Sequence, residues 1–194
     1  MVEAALLRRR DAPALRGAGG RAAPDAVLVR AAQAGSAEAV AELFRRHWPR
    51  AHRAAYLVVH DAAAAEDIAQ EAFVAAVGAL HRFDRRRPFA PWLHRIAVNP
   101  AIDFARARET RREAAGVALP DRGAPDVADA PGGEVVAALA ALPADQRAVI
   151  VLRHLLGFTP GEVAAALGLP RGTVNSRLRR GLDGLQDALE DRRP

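Results

Sequence analysis

The chain contains no cysteine and no lysine, and serine occurs only at Ser36 and Ser176. The first absence excludes disulfides, thiolate-bound zinc and thiol redox sensing within the chain. The second removes both a Schiff-base amine and the lysine of a phosphate-binding P-loop. Two serines leave a serine-nucleophile hydrolase with almost no candidates. Aromatic residues make up 5% of the chain, and no stretch reaches the roughly 18 apolar residues of a membrane span. His47, His52, His60, His81, His94 and His154 show no convergent spacing with carboxylates, so no metal site is expected. These absences count against most covalent and metal-assisted catalysis, and no cofactor motif is found.

What is abundant is alanine and arginine. The 194 residues are 51% hydrophobic, and all 28 basic side chains are arginine against 23 acids, a net charge of +5. The length allows one large domain or two small ones. A charge excess of this size is compatible with nucleic-acid binding without establishing it. Position therefore matters more than the total.

Two stretches read as breaks. Residues 1–24 carry Pro13, Gly17, Gly19, Gly20, Pro24 and five arginines with little apolar periodicity, the pattern of a flexible tail. Its Ala4-Ala5-Leu6-Leu7 run is too short for a signal-peptide core, and the arginines follow it rather than precede it. Residues 116–133 hold Pro120, Gly123, Pro125, Pro131, Gly132 and Gly133 with Asp121, Asp126 and Asp129, and read as a linker. Two helical blocks remain, 25–115 and 134–194. Neither shows a strand-like alternation, so the expected fold is all-α: two small helical domains joined by a flexible linker.

In the first block Val40, Ala41, Phe44, Trp48, Ala51, Ala55 and Val58 follow helical spacing and are expected to form one buried stripe. Ser36 is placed to cap that helix. Asp61 precedes a second helix reaching about Leu80, with Ala65, Ile68, Ala72 and Ala76 inward. The segment RFDRRRPFAP at 82–91 interrupts the pattern, and a further helix covers roughly 91–112, with Trp92 and Phe104 in the core. In the second block a short helix through Val135, Val136, Leu139 and Leu142 ends at Pro143, and another runs from Val149 to Gly157.

Thr159-Pro160-Gly161-Glu162 is a capping box with proline at the first helical position. The helix it opens stops at Gly168, and a final helix sets Val174, Leu178, Leu182, Leu185 and Leu189 on one side. Helix, glycine-containing turn and second amphipathic helix describe a helix-turn-helix. Its outward face carries Arg171, Asn175, Ser176, Arg179 and Arg180, with Arg177 at the edge. Arginine and asparagine are the side chains that read guanine and adenine bidentately in the major groove.

The first block is polarised. Residues 61–80 hold four acids and no arginine, whereas 82–112 hold nine arginines against three acids. Asp67, Gln70, Glu71 and Val74 share one helical face, a mixed acidic and apolar patch suited to a protein partner. Phe83, Phe89 and Trp92 beside Arg85, Arg86 and Arg87 suit stacking on unpaired bases while phosphates are held electrostatically.

With these motifs the chain resembles the extracytoplasmic-function group of bacterial sigma factors, which keep two of the four sigma regions. EDIAQEAF at 66–73, PWLHRIAVN at 91–99 and AIDFARARETRR at 101–112 are similar to region two. The string LPADQRAVIVLRHLLGFTPGEVAAALGLPRGTVNSRLRRGL at 142–182 is similar to region four. The resemblance implies that Glu66, Asp67, Gln70, Glu71 and Val74 bind core RNA polymerase. It implies that Phe83, Arg85, Arg86, Arg87, Trp92, Asn99, Asp103 and Arg106 melt and read the −10 promoter element. Arg171, Thr173, Asn175, Ser176, Arg177, Arg179 and Arg180 would meet the −35 element as duplex DNA. It further implies no cofactor, no membrane insertion, an anti-sigma partner, a place in the bacterial cytoplasm, and a linker lying in the polymerase channel.

Three positions depart from the pattern. Pro100 follows Asn99 directly and is expected to kink the helix or start a new turn there. Ala69 is small for its position, and Gly181 is expected to loosen the end of the recognition helix. Two competing readings stand: a helix-turn-helix regulator of duplex DNA acting without polymerase, and a helical adaptor binding only protein. The acidic 66–71 face beside the basic aromatic stretch argues against the first, and the exposed face of the last helix against the second.

Overall fold

A computed structural model of the chain describes residues 23–115 and 133–191, and within them all regular structure is helical. The tail expected over 1–24 and the linker expected over 116–133 lie almost wholly outside the described residues. Eight α-helices follow in order among the described residues. They are α1 (Asp25–Gln33), α2 (Ala37–Val59), α3 (Ala62–Ala79), α4 (Phe89–Ala115), α5 (Gly133–Ala140), α6 (Ala144–Ile150), α7 (Pro160–Leu167) and α8 (Arg171–Glu190). A 3₁₀ turn, Leu80–Arg82, ends α3, and α6 winds on into a π-helical turn, Val151–Leu155.

Local chemistry sets the helix starts. Ser36 accepts a bond from the Ala39 N–H at 3.1 Å, and Asp61 accepts one from Ala64 at 3.1 Å. Each satisfies one of the orphan donors of a first helical turn. At α1 the Asp25 carboxylate is held by Arg46 at 2.7 Å and His47 at 2.8 Å, which fastens α1 to α2.

Helices α2, α3 and α4 pack on one another, with α1 against α2. Alanines make the close approaches: Ala51, Ala54, Ala55, Ala97 and Ala101 are fully buried. The alanine-rich composition is thus used at helix crossings, where a small side chain lets backbones draw near. One apolar cluster, including Leu28, Leu43, Phe73 and Leu93, belongs to the first block alone. A second runs continuously from Val58, Val98 and Ile102 into Val136, Leu139, Leu152, Val163 and Val174 of the second block. Helices α5 and α6 lean on α2, and α6 and α7 on α4, so the two blocks share a core.

Several expectations need correction. The buried stripe of α2 holds at Ala51, Ala55 and Val58 but is offset in the first half of the helix: Ala39, Leu43 and His47 point inward, while Ala41 and Phe44 are exposed and Val40 is half-buried. Spacing alone could not choose between these adjacent apolar registers. Leu182, expected inward on α8, is exposed. Helix α4 starts two residues earlier than expected and runs without interruption through Pro100, as α2 does through Pro49. Proline there starts no new helix; it deprives the Ile96 carbonyl of its backbone donor. Gly181 does not act by loosening α8. It is buried, and a Cβ there would sit 3.0 Å from the Ile150 Cδ1 and 3.2 Å from the Gln146 Cβ. Glycine lets α8 lie directly on α6.

Candidate nucleic-acid and protein interfaces

Three surfaces carry the candidate residues. On α3, Glu66, Asp67, Gln70, Glu71 and Val74 are all exposed, and Val74 is 75% and Val77 50% open to solvent. The Gln70 amide donates to Glu66 at 3.2 Å, which orders this row along the helix. Val74 and Val77 lie one turn apart, next to the acidic row, and make an exposed apolar strip on this face. Beneath them Ala65, Ile68, Ala72 and Ala76 anchor α3, as the pattern predicts.

The basic loop after α3 is built by residues that the sequence did not flag. Asp84 accepts from the Arg86 N–H at 3.0 Å through its side chain and from the Arg87 N–H at 3.0 Å through its carbonyl. That turn displays Arg85, Arg86 and Arg87, all exposed. From α1, the Gln33 amide donates to the carbonyls of Leu80 at 2.9 Å and Phe83 at 3.0 Å and pins the loop. Phe83 itself is 7% exposed, packed 4.7 Å from Trp92 and edge-on to Phe89 at 5.8 Å between ring centroids. As a base-stacking residue Phe83 is therefore a correction: its ring supports Trp92, which is half-buried.

In the second block the helix-turn-helix forms as its punctuation requires. Thr159 Oγ1 accepts from the Glu162 N–H at 3.3 Å, and the Glu162 carboxylate accepts from the Thr159 N–H at 2.8 Å. The Thr159 N–H bond, and secondly the Thr159 hydroxyl donating to the carboxylate at 2.8 Å, hold the Glu162 carboxyl below the usual carboxylate range. Gly168 ends α7 with φ +63°, a left-handed conformation that glycine takes without steric cost. Val163 and Val174 are fully buried where α7 crosses α8. Arg171, Asn175, Arg179 and Arg180 are exposed, and Thr173 and Ser176 half-buried, with the Ser176 hydroxyl donating to the Thr173 carbonyl at 3.0 Å. The Arg171 guanidinium lies over Gly161, where a Cβ would come within 2.6 Å of it.

Comparison with known proteins agrees with this arrangement. Residues 43–111 match the family model of sigma-70 region 2, and residues 133–183 that of sigma-70 region 4. The chain is 35% identical over 161 residues to the ECF RNA polymerase sigma factor SigM of Mycobacterium tuberculosis, covering 80% of each chain. The chain belongs to the ECF sigma factors. It is also 32% identical over 172 residues to SigW of Bacillus subtilis, covering 81% of this chain and 92% of that one. It spans 60% of the longer SigE of Mycolicibacterium smegmatis at 35% identity. Among solved structures, CnrH in complex with the cytosolic domain of CnrY matches with TM-score 0.65 and 32% identity, over 87% of this chain and 99% of that one. RpoE in complex with the anti-sigma factor NepR from Bartonella quintana matches with TM-score 0.62 and 26% identity, over 78% and 97%.

In this sigma factor the remaining −10 candidates, Trp92, Asn99, Asp103 and Arg106, form a stripe along α4 that helical periodicity keeps on one side. The stripe faces the second block. The Asn99 amide donates to the Ala166 carbonyl of α7 at 3.3 Å. Arg106 binds the Asp145 carboxylate of α6 through two nitrogens, at 2.6 and 2.7 Å. Trp92 and Arg95 line a cleft of about 200 Å³ whose far wall is Phe158, Glu162, Ala165 and Ala166. Asp103 and Arg106 stay open, their side chains 78% and 45% exposed. The other oxygen of Asp145 binds Arg177 of α8 at 2.7 Å. Asp145 carried no sequence signal, because an acid in a first helical turn is commonplace.

Proposed function

We propose that the two blocks act as separate modules, a region-two domain over 25–115 and a region-four domain over 134–194, with 116–133 joining them. The α3 face of Glu66, Asp67, Gln70, Glu71 and Val74 is the docking surface for core RNA polymerase. The loop displaying Arg85–Arg87 and the α4 stripe of Trp92, Asn99, Asp103 and Arg106 engage the melted −10 strand, with Phe83 bracing Trp92. The outer face of α8, with Arg171, Thr173, Asn175, Ser176, Arg177, Arg179 and Arg180, reads the −35 duplex. The protein directs promoter-specific initiation by binding and positioning rather than by catalysis.

The observation that carries this reading is the exposed apolar strip of Val74 and Val77 next to the α3 carboxylates, followed by a basic aromatic segment. Protein docking and single-strand binding are thus adjacent, while duplex reading sits in the other block. Structural relatives solved with CnrY and with NepR support an anti-sigma factor as a further partner. Action with polymerase places the protein in the bacterial cytoplasm, and among the described residues no helix is long and apolar enough to cross a membrane.

The test is reconstitution. The purified full chain is added to core polymerase with fragmented DNA of the source genome, and transcript starts are mapped. New starts sharing upstream −35 and −10 sequences are expected. Duplex binding by the chain alone, with no new starts, would favour an ordinary helix-turn-helix regulator.

A further inference from the structure

Glycine stands in the first turn of α7 at position 161, between the proline and the glutamate of the capping box. Glycine is among the least favourable residues inside a helix, and the neighbouring helix explains its use here. A Cβ at Gly161 would stand 2.6 Å from the Nη2 of Arg171 and 3.2 Å from its Cζ and Nε. Three atoms of one guanidinium converge on that point, so the group rests across bare backbone.

Contact with that backbone is what places Arg171. Its side chain makes no hydrogen bond or ion pair among the described residues, and it is exposed. The acid beside Gly161 is already occupied: the Glu162 carboxylate accepts from the Thr159 N–H and hydroxyl, each at 2.8 Å. The seat therefore orients the guanidinium by contact alone and leaves its five N–H donors unspent. Arg171 is also the first residue of α8, and residues at the start of a recognition helix are those that meet base edges. A bidentate reader of guanine needs two adjacent donors free and its fork held in advance.

Resting on the assignment of α8 to the −35 duplex, we propose that Gly161 is a positioning residue for sequence reading, which seats the Arg171 guanidinium for a guanine of the −35 element. A side chain at 161 displaces Arg171 while α7 keeps its fold, because what it meets is the mobile end of a long side chain. Helix α7 then helps to set which base α8 reads.

Binding of the full chain to a fluorescein-labelled −35 duplex is followed by anisotropy, with each base pair of the mapped element substituted in turn. The wild type is expected to lose about tenfold at the guanine that Arg171 reads. Gly161→Ala lowers affinity for the parent duplex about fivefold or more and removes discrimination at that base pair alone. Arg171→Ala does the same, and Gly161→Ala adds nothing further in its background. Thermal unfolding does not follow binding: Gly161→Ala melts at or above the wild-type temperature, since alanine is the better helix former. That readout separates the seat from simple support of α7.

Wild-type affinity and preference in Gly161→Ala would overturn the proposal. So would additive losses in the double variant, or a loss of binding accompanied by a lower melting temperature. A loss uniform over all sequences, with a flatter salt dependence, would make Arg171 a phosphate contact and overturn its reading role. If the wild type binds no −35 duplex yet melts normally, the assignment of α8 itself falls, and the role of the seat with it.

Discussion

Helices α4 and α8 are both rich in arginine, yet they hold it differently. On α8 the outer arginines, Arg171, Arg179 and Arg180, stand exposed with only local bonds, such as Arg180 to the Ser176 carbonyl at 3.3 Å. On α4, Arg106 is bound to Asp145, and Arg108 donates to the Val59 carbonyl at 3.4 Å and lies 3.9 Å from Asp61. A duplex presents a preformed major groove, so a reading helix can stand ready. The α4 arginines are instead partly engaged within the fold. Charge counting alone treats the two helices alike; burial and pairing separate them.

Substitutions in the two apolar clusters should break this comparison most strongly. Leu152 lies in the cluster shared by both blocks and Leu93 in the one confined to the first, and both are fully buried. Either alanine variant is expected to cost about 2–5 kcal/mol in urea unfolding. Hydrogen exchange then distinguishes them. Leu152→Ala loosens α4 together with α6–α8, and Leu93→Ala leaves α7 and α8 protected.

A pH effect from a buried histidine arises in the first block. Burial, with smaller contributions from His47 and Arg50, pushes His94 down from 6.5 to about 4. The unfolded chain therefore takes up this proton first. Stability from His94 is complete above about pH 6.5 and declines as pH falls toward 4, by up to about 3 kcal/mol. Urea midpoints measured at pH 7 and pH 4.5 should differ less in His94→Gln than in the wild type.

On α8, Arg179→Ala is expected to weaken −35 duplex binding by about 1–3 kcal/mol. Its affinity for the −10 strand should not change, which fluorescence anisotropy with the two DNAs would show. The smallest effect concerns the turn before the reading helix. Thr159→Ala removes the capping bond and should cost about 1 kcal/mol of thermal stability, without altering polymerase binding.

Much of this was legible from spacing. Ser36, Asp61, the Thr159–Glu162 box and Gly168 mark helix ends by local chemistry, and local chemistry survives folding unchanged. The exposed α3 row follows from one helical face and its charge. The register of the first half of α2 was not legible, since Val40, Leu43, Phe44 and His47 offer two adjacent faces and only tertiary packing chooses. Nor did spacing mark Phe83 as buried, because an aromatic beside arginines can as well brace a neighbour as stack on a base. The contacts between blocks, Asp145 with Arg106 and Arg177, Asn99 with Ala166 and Arg50 with Leu155, join residues far apart in the chain. No periodicity records them.

The central claim is that α3 docks polymerase while promoter reading lies elsewhere. Its most direct test is the affinity of the Asp67→Arg chain for core polymerase, measured beside its binding to −35 duplex. Asp67 is exposed, with no side-chain bond among the described residues, so the fold should hold. The expected result is polymerase binding about tenfold or more weaker, with duplex binding at the wild-type level. Unchanged assembly with core polymerase would contradict the account.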